Sequence, residues 1–410
     1  MSQWALCPGW PLRRNYSFLV ATRLVRAFAF GMGAVVLGVH LERRGLSPTE
    51  VGLTLTVGLL AAALIGLASA AASARIGRRV TLAVTGLLMS LSGLDLGLSM
   101  AHPLLVLAGA TGMLGVAGVD GGPFLSIEQA VLTETVDSQG RNRAFGRYSL
   151  TGALAGAGGS LAAGLGTDVR RSSALFVAFA LLGLVTAILP LFLTSAVEGE
   201  PHQPAFGSLR PLLGLSALFA LDAFGGGLIA NSVIAYWLHV RFGAGTEILG
   251  PVFTLMGLVV AGSYEVAGRL ADRIGLVNTM IFTHLPSSVL LLAVPFSPNL
   301  GWALAILLFR NAISQMDIPA RQAYLVSIVK PSERAGALAI TGAVRGFGLA
   351  FGPLIAGFAI QAAAFGLPFF LGGGAKVGYD VALYGGFRNL RGDHEKAVGG
   401  PLEGSDPHAR

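Results

Sequence analysis

Residues Gly268-Arg269-Leu270-Ala271-Asp272-Arg273-Ile274-Gly275 lie between two apolar stretches, and 198 positions earlier Arg75-Ile76-Gly77-Arg78-Arg79 lies between two more. Such a segment, found once in each half of a chain, marks a short polar connection between long apolar helices. The composition around it agrees. The chain has 410 residues, 53% of them hydrophobic and only 12% charged, against about 25% charged in a soluble domain. So few charges cannot cover the surface of a water-soluble fold, and most of that surface is expected to face lipid. A spanning helix needs about 20 apolar residues, and the length leaves room for about a dozen after loops.

Apolar runs alternate with loops twelve times. The first half holds segments 16–39, 48–72, 79–100, 103–128, 145–167 and 173–195; the second holds 209–238, 247–270, 277–297, 300–325, 335–361 and 365–388. The expected fold class is an all-α membrane protein with 12 transmembrane helices in two pseudo-symmetric six-helix bundles. The N-terminal bundle takes 1–196, a polar, Pro-bearing linker 197–208, the C-terminal bundle 209–390, and a polar tail 391–410. The first run follows Arg13-Arg14 as a signal peptide would, but it is too long, contains Arg23 and Arg26, and lacks a small-residue cleavage site; it reads as a retained helix. A second repeat supports duplication. Gln129-Ala130-Val131-Leu132 recurs 193 residues later as Gln322-Ala323-Tyr324-Leu325, and at that offset Arg141 meets Arg334, Gly159 meets Gly352 and Gly164 meets Gly357.

Lys and Arg in short loops set orientation. With the N-terminus inside, Arg75, Arg78, Arg79, Arg141, Arg143, Arg147, Arg210, Arg269, Arg273, Lys330 and Arg334 fall on the cytoplasmic side, and only Arg43, Arg44, Arg170, Arg171 and Arg241 on the other. Both termini are therefore expected in the cytoplasm, and Trp237 and Trp302 at the outer interface. The formal charge of +7 reads as basic cytoplasmic loops, and no nucleic-acid partner is expected. The single Cys7 excludes a disulfide framework and any Cys-based metal site. No metal or other cofactor is expected.

The pattern G-x-x-x-D-R-x-G-R-R belongs to the helix 2–3 and helix 8–9 connections of the major facilitator superfamily. The second copy resembles it at Gly268, Asp272, Arg273 and Gly275. The first keeps Arg75, Gly77, Arg78 and Arg79, with Ala70 and Ala74 where the pattern has Gly and Asp. The segments Gly122-Pro123-Phe124-Leu125-Ser126-Ile127-Glu128-Gln129-Ala130 and Asp317-Ile318-Pro319-Ala320-Arg321-Gln322-Ala323 look like a prokaryotic branch of that superfamily. Gly352-Pro353-Leu354-Ile355-Ala356-Gly357 resembles the antiporter signature of its efflux proteins, although here it lies in helix 11 rather than helix 5. The resemblance implies a secondary transporter, working as a monomer in the cytoplasmic membrane, with helices 1, 4, 7 and 10 lining a central cavity. Its partners would be a small-molecule substrate, protons and the lipid bilayer.

Ionisable groups at helix centres cost about 2.5–3.5 kcal/mol each on insertion scales and usually face an interior cavity. Helix 1 carries Arg23 and Arg26, helix 4 Asp120 and Glu128, helix 7 Asp222, and helix 10 Arg310, Asp317 and Arg321. With Asn231 and Asn311, all of these except Glu128 and Arg321 are the candidate cavity residues. Arg310, Asp317 and Arg321 share one helical face; the last two can pair at i, i+4, as a cavity device or a purely structural one. Gly121-Gly122-Pro123 permits a break after Asp120, which makes Asp120 the first candidate for a proton-carrying carboxylate, or half of a static pair with helix 1. Asp222 falls at the depth of Arg26, which suggests a contact across the cavity. Glu128 and Arg321 are equivalent by the 193-residue offset and are expected to pair when the cytoplasmic side closes. With Arg75, Gly77, Arg78, Gly268, Asp272, Arg273 and Gly275 they form a candidate cytoplasmic gate, Asp272 meeting Arg143, Arg147 or the N-terminus of helix 5; the plainer alternative is a role in topology alone. His284 in helix 9 reads as a packed residue.

Three readings of function follow. The leading one is proton-coupled export of a small organic or drug-like solute by alternating access. The second is an importer or facilitator of a polar or anionic metabolite, and the third a receptor or scaffold on the same fold. A lipid-modifying enzyme would need clustered acids for a metal, and the acids are scattered singly. No Gly-Lys-Ser/Thr phosphate loop is present, which argues against ATP-driven transport. The chain is not expected to be an enzyme.

Overall fold

The computed structural model describes residues 10–116, 118, 124–135, 141–198, 209–274, 276–317, 321 and 334–387. Among them there are helices and turns and no strand. The first half runs α1 (Trp10–Arg43), α2 (Pro48–Ile76), α3 (Arg78–Leu98), α4 (His102–Ala108), α5 (Phe124–Thr135), α6 (Arg141–Ala163) and α7 (Val169–Ile188). The second runs α8 (Leu209–Leu228), α9 (Asn231–Phe242), α10 (Thr246–Ile274), α11 (Leu276–Ala293), α12 (Leu300–Ser314), α13 (Arg334–Ala350), α14 (Gly352–Gln361) and α15 (Leu367–Phe387). The twelve expected spans are these helices, with span 4 divided into α4 and α5, span 7 into α8 and α9, and span 11 into α13 and α14. Eight helical stretches among the described residues are long and apolar enough to cross a membrane, and two shorter apolar ones correspond to spans 4 and 10. Three N-termini on the side away from the chain ends carry caps. Ser47 and Glu50 form a reciprocal capping box on α2, Asp168 accepts from Arg171 N at 2.9 Å on α7, and Asn299 accepts from Trp302 N at 3.1 Å on α12.

Two expectations change. The polar connections are not loops: α2 ends at Ile76 and α3 begins at Arg78, while α10 ends at Ile274 and α11 begins at Leu276. Arg75, Gly268, Asp272 and Arg273 therefore sit in the last turns of helices, where an arginine also favours the negative end of the helix dipole, and a single glycine, Gly77, makes the first of the two turns. Gly77 has φ +87°, a conformation that glycine takes without strain. The second change is Trp237, which is 1% exposed and donates its indole N–H to Phe365 O at 2.9 Å. It is an internal anchor and not part of an interfacial belt. Trp302 is 60% exposed, as expected.

Close helix crossings hold each bundle together, and they repeat. In the first half α1 packs on α6: a Cβ at Gly159 would lie 1.8 Å from Phe28 O, and one at Gly31 2.0 Å from Gly156 O. In the second half α8 packs on α13 and α14: a Cβ at Gly227 would lie 2.0 Å from Leu349 O, and one at Gly352 2.2 Å from Gly227 C. Small residues at such crossings let backbones approach, and that contact replaces the hydrophobic drive that lipid does not provide. Gly159→Leu is accordingly expected to cost at least about 3 kcal/mol, the upper end of overpacking, because the obstacle is backbone. Gly158→Leu, whose Cβ meets only the Phe28 ring at 3.7 Å, is the control. Thermal unfolding of the two proteins in detergent checks this; equal melting points would refute the crossing as described.

The halves meet tightly at the end away from the termini. Gly38 faces Tyr236, with a Cβ-to-Cβ approach of 2.7 Å if Gly38 carried one. His239 Nε2 lies 3.4 Å from Glu42 Oε2, Gln361 accepts from Thr49 N at 3.2 Å, and Thr56 Oγ1 accepts from Leu354 N at 3.0 Å. Gly164 abuts Gly250, and one turn deeper Thr254 donates to Ala157 O at 3.0 Å. Midway through the molecule, at the break between α8 and α9, Asn231 is exposed. Its amide nitrogen is 3.4 Å from the position a Cβ on Gly118 would take. Asn231 is thus an exposed amide at mid-depth that faces the opposite half.

Candidate functional site

Each bundle buries an ion pair at its heart, and the two pairs are related by the internal repeat with their charges exchanged. In the first half Arg26 on α1 donates to Glu128 on α5, both fully buried. Tyr148 on α6 donates its hydroxyl to the same carboxylate oxygen. The Arg26 guanidinium also lies over the Phe124 ring, 4.6 Å from its centroid, an arrangement that stabilises a desolvated cation. Arg23 stacks on Tyr148 at 4.8 Å. It fits because residue 152 is glycine: a Cβ there would lie 2.4 Å from the guanidinium nitrogens.

In the second half the acid is on span 7 and the base on span 10. Asp222 on α8 is 2% exposed. Its Oδ2 accepts from Arg321 at 3.2 Å and from Arg345 on α13 at 3.0 Å. Its Oδ1 accepts from Lys376 on α15 at 2.7 Å and lies 3.3 Å from His284 Nε2 on α11. Arg321 also donates to Asp317 at 2.8 Å, the i, i+4 pair expected from spacing. His284 Nδ1 lies 2.8 and 3.0 Å from the two oxygens of Asp380. Five helices thus converge on one carboxylate, the kind of fully paired network that a buried charge requires.

The candidate residues are accordingly rearranged. Asp222 makes no contact with Arg26 across the cavity; each is held within its own bundle. Packing decides this: the carboxylate of Asp222 is surrounded by His284 of α11, Arg345 of α13 and Lys376 of α15 before the other half is reached. Glu128 and Arg321 are likewise engaged inside their own halves, with Arg26 and with Asp222 and Asp317. Arg310 is 5% exposed, and its Nε has no hydrogen-bond partner among the described residues. Asn311, beside it, is half-buried. Asp120 lies outside the described residues, as do Gly275 and most of the 197–208 linker. Arg75 and Arg273 are exposed, and the side chain of Asp272 lies outside the described residues.

The helix 2–3 turn has an acid after all, supplied from elsewhere. Glu198, just after span 6, accepts from the backbone N–H groups of Arg78 and Arg79, capping α3. A Cβ on Gly77 would come 2.7 Å from that carboxylate. Ala74 leaves the pattern's acid position empty, and Glu198 occupies the positive end of the helix in its place.

Lys376, Arg345, Asp380, Glu198 and Tyr148 are not among the candidates drawn from the sequence, and His284 reads there as a packed residue. A signal existed for part of this: Lys376 and Asp380 lie i, i+4 in an otherwise apolar span, where ionisable groups are expensive. His284 is not a simple packed residue, since both ring nitrogens face ionisable groups.

Comparison with known proteins agrees with this architecture. The Major Facilitator Superfamily family profile matches residues 19–309 and 215–396. An uncharacterized membrane protein of Saccharomyces cerevisiae is 21% identical over 90% of this chain and 93% of its own length. The methyl viologen resistance protein SmvA of Salmonella typhimurium is 31% identical, over 32% of this chain and 26% of that protein. Among solved structures, a D-xylose-proton symporter superposes with a TM-score of 0.69 at 17% identity, covering 90% of this chain and 97% of the symporter; at that identity the likeness concerns the fold.

Proposed function

Since the chain belongs to the Major Facilitator Superfamily of transporters, we propose that it exports a small organic or drug-like solute across the cytoplasmic membrane by alternating access, coupled to protons. The observation that carries this reading is the exposed Asn231 facing Gly118 of the other half at mid-depth, with the halves pressed together toward one end at Gly38, Gly52 and Gly164. If the termini lie in the cytoplasm, as the basic loops suggest, the closed end is the outer one and the space between the bundles opens inward. The bundles 1–196 and 209–390 would then rock about the cavity, joined by 197–208, in a protein that works as a monomer. Closing the inner side would bring Glu128 and Arg321 toward one another, and Asp272 toward the start of α6. The partial likeness to a methyl viologen resistance protein supports an organic cargo.

A second reading, transport of an anionic metabolite, is favoured by one observation. Among the described side chains around Asp222, the cations Arg310, Arg321, Arg345 and Lys376 outnumber the carboxylates of Asp222, Asp317 and Asp380 by one.

The test uses purified protein in liposomes holding a pH-sensitive dye, with methyl viologen, D-xylose, uridine and benzoate added in turn under an imposed proton gradient. Proton flux with one compound, absent from protein-free liposomes, is expected, and the responding compound chooses between the two readings. Movement of a radiolabelled compound without proton flux would reduce the protein to a facilitator.

A further inference from the structure

The hydrogen bonds around His284 describe more than a packed imidazole. The ring is 3% exposed and lies between two carboxylates and one ammonium. Nδ1 is 2.8 Å from Asp380 Oδ1, and Nε2 is 3.3 Å from Asp222 Oδ1 and 3.4 Å from Lys376 Nζ. An ionised carboxylate only accepts, so the Asp380 contact places a hydrogen on Nδ1. In the neutral ring Nε2 is then an acceptor, and Lys376 is the donor within reach. In the charged ring Nε2 carries a hydrogen, and Asp222 Oδ1 is the acceptor within reach. Both protonation states therefore find partners in the same packing, and they differ in which partner Nε2 uses.

We propose that Nε2 of His284 is a proton-binding site of this transporter, placed on spans 9 and 12 outside the cavity-lining helices, with Asp222 passing its occupancy to the cavity. The proposal rests on the reading of proton-coupled transport. A proton taken from water adds to the Nε2 lone pair, and the new N–H donates to Asp222 Oδ1. Lys376 loses Nε2 as an acceptor and shares Oδ1 with a second cation. The other oxygen of that carboxylate holds Arg345, whose side chain is 28% exposed and is the open member of the cluster. A fourth cation on one carboxylate, beside Arg321, Arg345 and Lys376, weakens its hold on Arg345 and leaves the guanidinium available to a solute group. Release of the proton reverses each step.

The groups around the ring bear this out. From α15 come Lys376, Asp380 and Tyr379, the last edge-on at 5.6 Å between ring centroids; from α8 comes Asp222. Behind Asp222 stand Arg321, Arg345 and Asp317. On α11 itself His284 is the only ionisable residue. Arg310 of α12 and the described ionisable side chains of α10 make no hydrogen bond or ion pair with the ring. Three carboxylates and four cations, Arg310 among them, stand around the imidazole, so one added proton adds charge to a cluster that already holds one more cation than anions.

The experiment is nitrogen-15 NMR of histidine-labelled full-length protein in phosphatidylcholine nanodiscs, with His284→Gln identifying the signal. Conversion of Nε2 from imine to N–H within about pH 5–8 is expected, the range in which histidine acts as a switch. A ring that keeps one form throughout overturns the proposal. Lys376→Met leaves the ring in place and removes its donor; the midpoint of the conversion is expected to move, and an unmoved midpoint also counts against the site. In liposomes, with whichever of the four compounds drives proton flux, His284→Gln is expected to keep exchange of the labelled compound and lose its proton flux. Proton flux that survives in His284→Gln but is lost in Asp120→Asn overturns the site and leaves coupled transport standing. Wild-type protein that moves no protons with any compound fails the coupling reading itself, and the NMR result separately decides whether His284 binds a proton.

Discussion

Asp222→Ala is expected to abolish transport and to lower stability by about 3–5 kcal/mol, the cost of breaking a buried ion pair from one side. No other substitution strands so many cations. Arg321 keeps Asp317 at 2.8 Å, but Arg345 and Lys376 keep no carboxylate partner among the described residues. Asp222→Asn separates charge from shape: it fills the same space and accepts one hydrogen bond per lone pair, yet it cannot neutralise three cations. It is expected to fold with a smaller loss of stability and to be equally inactive, because Arg345 and Lys376 lose the charge that holds them in place. Thermal unfolding in detergent, with counterflow of the responding compound in liposomes, measures both quantities. An Asp222→Ala protein that melts with the wild type and exchanges at its rate would show that the network is ornamental.

The Arg26–Glu128 pair makes the second large prediction, and here two single changes should hurt more than both together. Glu128→Met leaves the Arg26 guanidinium buried with the rings of Phe30, Phe124 and the Tyr148 hydroxyl, and no acid in contact. Arg26→Met leaves the Glu128 carboxylate with Tyr148 alone. Each is expected to cost about 3–5 kcal/mol. The double replacement removes both charges and fills their volume with apolar atoms, which in buried pairs is often neutral or stabilising. It is expected to recover most of the stability, with a coupling of about 3 kcal/mol in the double-mutant cycle, and to recover no transport. Simple additivity of the two losses would mean that the pair is not coupled. The charge-exchanged protein, Arg26→Glu with Glu128→Arg, keeps an ion pair in place and is expected to restore part of the transport lost by either single change.

The two sites also differ in how much of them was legible. The number and order of the spans, the duplication, and the depth of each charge along its own helix all follow from apolar run length and a repeat visible in the residues themselves. The equivalence of Glu128 and Arg321 is such a case: the 193-residue offset relates them, and they indeed occupy matching places, each the span 4 or span 10 partner of a charge on span 1 or span 7. Among the described residues span 4 breaks at 112–116, ahead of Gly121-Gly122-Pro123, and span 7 breaks at Ile229-Ala230, just past the helical Gly225-Gly226-Gly227.

Partner choice had no such signal. Arg26 and Asp222 read as a pair across the cavity because depth and charge matched; the fold gives each an inner partner instead. Periodicity assigns a residue a height and a face on one helix, but it carries no information on which helix stands against that face. Lys376, His284 and Asp380 reach Asp222 and one another only because α11 and α15 dock beside α8, with residues 92 to 154 positions apart brought within 3.4 Å. Glu198 caps α3 across some 120 residues for the same reason. Local sequence alone determined the helices and their count, since those depend on hydrogen bonds and apolar length within one segment. Tertiary packing alone decided which buried charge neutralises which, since Coulomb energy in a low-dielectric interior is settled over a few ångströms between segments far apart in the chain.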